Sequence, residues 1–168
     1  YRSQSDMIYL TGWYEPESVM IAQFSEGDWS VTLFVQPKDT LKEIWEGRRP
    51  GVEGAIKDWP VDYAFSIVDL DEKLNKSIAN SSKIYHRTGI RCEIDSIVTN
   101  AIQHRGRARQ MAGSGPIAIE DPSSRIAELR LIKSPAEIEQ MRYASDVSSI
   151  AHEAAMRSCS TVRTENQI

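Results

Sequence analysis

Two runs of strand-forming residues, Ser18–Phe24 and Ser30–Val35, flank the polar segment Ser25-Glu26-Gly27-Asp28, a pattern that predicts a β-hairpin. Ala64–Val68, Lys83–His86 and Ile117–Ile119 are further strand candidates, and Met7–Leu10 is a short apolar run that stops at Thr11-Gly12. Helical spacing enters between them. Thr40 and Glu43 have capping-box spacing, Leu41, Ile44 and Trp45 share one side, and Gly47 terminates, so Thr40–Glu46 reads as two helical turns. Asp69-Leu70-Asp71-Glu72 is a helix start, followed by Leu74 and Ile78 four apart. Residues 91–104 carry Ile94, Ile97, Val98, Ala101 and Ile102 at helical spacing.

After Asp121-Pro122 the pattern is helical only. Ser134, Pro135 and Glu137 form a strong start: N-cap, first-turn proline and third-position glutamate. Ile138, Met141, Ala144, Val147, Ala151 and Ala154 then keep one apolar stripe over about six turns. The expected architecture is α/β, a mixed sheet followed by a long amphipathic helix with little to pack on. A domain over 1–133 and, over 134–168, the first helix of a further domain are the expected division. The chain opens on Tyr1 and closes on Asn166-Gln167-Ile168, and is expected to be a fragment.

Composition narrows the function classes. With 168 residues, 40% hydrophobic and 26% charged, the chain reads as globular rather than disordered. A net charge of −4 argues against bulk attraction to nucleic acid or an anionic membrane, and no apolar run reaches the length of a membrane span. Cys92 and Cys159 lie far apart without CxxC spacing, which favours a reducing compartment over a disulfide framework.

Candidate chemistry is sparse. His86, His104 and His152 fall in separate elements without metal-ligand spacing and read as satisfied surface or core histidines. No GxSxG, P-loop or GxGxxG occurs. Cys92 is near a helix start that could stabilise a thiolate, but a buried inert thiol is the favoured reading. His104-Arg105-Gly106-Arg107-Ala108-Arg109-Gln110 reads as a loop whose arginines could grip a phosphate or carboxylate, or stand solvated. Trp45 is either packed under the sheet or displayed; composition alone favours packing.

Three stretches, YRSQSDMIYLTGWYEPESVMI, LFVQPKDTLKEIWEGRRPGVEGA and RIAELRLIKSPAEIEQMRYASDVSSIAHEAAM, resemble the amino-terminal domain of X-prolyl aminopeptidases of the creatinase–prolidase group. The wording YLTGWYEPESVM and RIAELRLIKSPAEIEQMR looks most like mitochondrial intermediate-cleaving peptidases and bacterial aminopeptidase P. The resemblance runs from Tyr1 to about Arg157.

That resemblance implies a mixed six-stranded sheet flanked by helices, then a pita-bread catalytic domain holding two manganese ions beyond Ile168. It implies no catalytic and no metal-ligating residue within this chain. The tryptophan of EIWEGRR, Trp45, would be displayed toward substrate in a neighbouring subunit. Arg109, with Arg107 as the alternative, would be the family's substrate-binding arginine. The implied activity of the whole protein is removal of an amino-terminal residue from peptides or processed proteins. The implied partners are peptide or protein amino termini, the carboxy-terminal catalytic domain and further copies of the chain. The implied location is mitochondrial, or else cytoplasmic. The alternative function is a non-enzymatic peptide- or histone-binding module of the same architecture.

Overall fold

The computed structural model describes residues 3–107, 115–159, 164 and 166. A short helix α1 (Ser5–Thr11) ends at Gly12, whose φ of 70° is easy only for glycine in this C-cap role. Strands β1 (Val19–Ser25) and β2 (Asp28–Val35) follow as the expected antiparallel hairpin, in register from Val19↔Phe34 to Ser25↔Asp28. Glu26 and Gly27 form its two-residue loop with φ of 54° and 92°, both positive, as a turn matching the strand twist requires. Next come α2 (Thr40–Glu46), α3 (Gly51–Asp58) and β3 (Tyr63–Ser66). Strand β3 lies parallel to β2, pairing Thr32↔Tyr63 to Val35↔Ser66.

Alternation along β2 decides the layering. Leu33 and Val35 point to one face and join Trp13, Ala55 and Ala64 in one buried cluster, with Met7, Val52 and Trp59 packed against it. Phe34 points to the other face, where it meets Leu70, Leu74 and Ile78 of α4 (Leu70–Ala79) and Ile94 and Val98 of α5 (Cys92–Arg107). The period-2 geometry of a strand thus gives one three-stranded sheet two apolar faces, each covered by helix. Strands β4 (Lys83–Tyr85) and β5 (Ala118–Glu120) lend Ile84 and Ile119 to the Phe34 cluster.

Two expectations change here. The five strands found among the described residues form a three-stranded sheet, β1-β2-β3, and a two-stranded parallel pair, β4-β5, not one six-stranded sheet. Strands β4 and β5 have three residues each and hydrogen-bond to one another, the ladder continuing through Ile117 N–H to Ser82 O and His86 N–H to Glu120 O. Strand β3 also stops short of Val68. The Ser66 hydroxyl accepts the Val68 N–H, a 3₁₀ turn takes Ile67–Asp69, and Val68 is left 81% exposed.

Contacts divide the chain into Tyr1–Ser123 and Ser124–Ile168. The second unit holds α7 (Pro135–Ser158), preceded by α6 (Ser123–Leu131), which starts at the end of the first unit. The α7 capping box forms as the sequence predicts: Ser134 Oγ accepts from Glu137 N at 3.3 Å, and Glu137 Oε2 accepts from Ser134 N at 2.8 Å. No α7 residue is buried: Ile138, Met141 and Val147 of its stripe lie exposed, as do Ile150 and Met156 outside it.

Candidate functional site

The displayed tryptophan is held by a short, well-capped helix. Asp39 is extended (φ −139°, ψ 102°) and its Oδ1 accepts the N–H groups of Leu41 and Lys42 at 3.1 and 3.2 Å. Asp39, not Thr40, is therefore the cap of α2, because Thr40 is already helical and its neighbour's carboxylate reaches the free donors first. Gly47 ends the helix as expected, with a φ of 90° and its N–H donating to Glu43 O. Leu41, Ile44 and Trp45 do share one side, but that side faces solvent: they are 77%, 71% and 89% exposed. Packing under the sheet is thereby replaced by display, since the sheet's two faces are filled by α1 and α3 on one side and α4 and α5 on the other.

Beside α2 lies a cavity of about 380 Å³, bordered by Trp13, the Glu15–Glu17 loop, Gln36, Lys42 and Arg49. Trp13 is its most buried element, 1% exposed, and meets Trp59 edge-on with ring centroids 4.7 Å apart. Trp45 is not among its lining residues.

Arg109 lies outside the described residues. The segment His104–Arg107, expected as loop, is the last turn of α5. Cys92 is exposed rather than buried, since the inward face of α5 belongs to Ile94 and Val98 and a residue two before Ile94 points away. His86 Nε2 sits 2.6 Å from Asp95 Oδ1, a half-buried pair, whereas His104 and His152 are exposed. Among the described residues no three His, Cys, Asp or Glu side chains come together as metal ligands.

Residues 1–85 match the family described as aminopeptidase P, N-terminal domain. The chain belongs to that family. The Xaa-Pro aminopeptidase of Escherichia coli K12 is 32% identical to this aminopeptidase P domain over 160 residues, covering 95% of the chain. The match takes in 36% of that enzyme, so the chain spans about a third of the length of such relatives. The mitochondrial intermediate cleaving peptidase 55 of Arabidopsis thaliana is 33% identical over 150 residues, 88% of the chain and 28% of the relative. Among solved structures, zinc-substituted E. coli aminopeptidase P in complex with product superposes with a TM-score of 0.80 at 31% identity, over 90% of this chain and 35% of that one. These relatives are peptidases by name, and the α/β fold of the domain is theirs. Among the described residues no helix is long and apolar enough to cross a membrane.

Proposed function

We propose that this chain is the non-catalytic amino-terminal part of a metal-dependent aminopeptidase and that its role is to shape the substrate cleft. The parent enzyme would remove one amino-terminal residue from peptides or processed proteins, using two manganese ions held by a carboxy-terminal catalytic domain. Residues 1–133 would form the amino-terminal domain, and 134–168 the catalytic domain's first helix, whose exposed stripe the rest of that domain would cover. Trp45 and Arg109 are the substrate-facing residues, Trp45 reaching the cleft of a neighbouring subunit in a homo-oligomer. The relative named as mitochondrial supports a mitochondrial location, with a cytoplasmic one as the alternative.

One observation carries this reading: Trp45 stands 89% exposed on a capped helix whose whole apolar side is uncovered. An exposed indole with rigid support offers a large apolar face to a peptide at low entropic cost. Trp45→Ala in the full-length protein should lower kcat/KM on the order of tenfold, about 1.4 kcal/mol of transition-state binding. Its melting temperature should stay put, because a solvent-facing side chain contributes within about 0.5 kcal/mol of stability. Unchanged kcat/KM toward peptides with and without proline in second position would remove Trp45 from the cleft.

A further inference from the structure

We propose that the cavity beside Trp13 is a binding site for a small zwitterion, an α-amino acid or dipeptide. Its volume, about 380 Å³, falls within the span of small-ligand pockets, roughly 300–1,000 Å³. Its charges are sorted by segment. Both acids, Glu15 and Glu17, come from the loop between α1 and β1; both cations, Lys42 and Arg49, come from α2 and the loop leading into α3.

The acidic side is held in place. Gln36 Nε2 donates to Glu17 Oε2 at 2.9 Å, and Glu17 sits at a φ of 53°, which is unfavourable for a residue with a Cβ. Trp13 contributes a third feature. It is 1% exposed, and its Nε1–H donates to no acceptor among the described residues. A buried donor without an acceptor is costly, and because the ring borders the cavity its N–H senses what occupies that space.

These features select a chemical class. A simple anion would meet Glu15 and Glu17, and a simple cation would meet Lys42 and Arg49; each is opposed by half of the lining. A molecule with a carboxylate at one end and an ammonium at the other satisfies both halves. Its carboxylate would lie toward Arg49 and Lys42, where a guanidinium favours planar oxygen pairs, and its ammonium toward the glutamates. The inference rests on the cavity's own chemistry and does not require the peptidase reading.

The test follows the Trp13 indole N–H resonance, assigned through its contact with Trp59, in proton–nitrogen correlation spectra of the protein. L-alanine and glycylglycine are titrated alongside acetate and methylammonium. At least one zwitterion should move the resonance saturably while neither single-charge probe does so. Arg49→Gln and Glu15→Gln should each weaken the response about tenfold. No saturable shift with either zwitterion overturns the proposal, and so does an acetate response equal to that of the zwitterions. If a variant loses its native spectrum, the four-probe comparison on the unsubstituted protein decides alone. Because no peptidase reaction is read, this outcome is independent of whether Trp45 serves a cleft.

Discussion

One carboxylate fixes the way the chain turns from β4 into α5. Asp95 lies in the first turn of α5, where an anion complements the helix N-terminus. It reaches back to two groups of the preceding loop, His86 Nε2 at 2.6 Å and the Gly89 N–H at 2.9 Å. Gly89 can present that N–H because its φ of 86° costs glycine little. The His86 hydrogen bond, followed by that of Gly89, holds the Asp95 carboxyl below its ordinary range. A carboxyl whose folded pKa is depressed binds its proton more readily when unfolded, so its stabilising effect is full above the unfolded pKa of about 4. That effect fades as pH falls through the lower folded value. Asp95→Asn should therefore lower the melting temperature at neutral pH and flatten its decline in acid, measured as the difference from the unsubstituted protein by calorimetry. Glu72, Asp121 and Glu137 are depressed as well, chiefly by Lys76, Ser123 and Ser134, and because both proteins carry all three the difference between profiles reports on Asp95 and its partner His86. Parallel acid profiles would show that the Asp95 contacts do not matter to folding.

Single elements show where sequence is enough and where it is not. The hairpin, the α7 capping box and the inward stripe of α5 are fixed by neighbours in sequence and were legible there. Helix α3 was not: two glycines in eight residues hide its period, and Ala55 is buried only because β2 and β3 pass beneath it. Helix α1 is a seven-residue stretch whose helical state depends on Thr11 closing onto Met7 O and on Met7 reaching the Trp13 cluster. The cavity unites residues 13, 15–17, 36, 42 and 49–51, and the His86–Asp95 pair spans a loop; neither has a spacing signature. The shift of the α2 cap from Thr40 to Asp39 is subtler, since both residue types cap well and only backbone geometry chooses. It is testable. A seven-residue helix is marginal by itself, so Asp39→Ala, removing about 1 kcal/mol of capping, should speed amide exchange at Leu41 and Lys42. Thr40→Val should leave those amides alone. If exchange responds to Thr40 instead, the capping geometry described for α2 is wrong.

For the molecule as a whole, the two clusters on opposite faces of β2 imply two largely separate sources of stability. Leu33 packs with Trp13, Val35, Ala55 and Ala64, whereas Ile78 packs with Phe34, Leu70, Leu74, Ile94 and Val98. The backbone of β2 separates the sets, so a cavity on one face gives no room for side chains of the other to collapse into it. Leu33→Ala should cost about 2–5 kcal/mol and Ile78→Val about 0.5–1.5 kcal/mol in urea unfolding. With no cluster neighbour in common, their double variant should be additive within about 0.5 kcal/mol. Leu74→Ala combined with Ile78→Val is the contrasting case, because one cluster holds both and relaxation around the first alters the second. That pair should depart from additivity by about 0.5 kcal/mol or more. The same coupling appearing between Leu33 and Ile78 would mean that the sheet transmits strain between its faces, and the layered account of how this sequence holds its fold would fail.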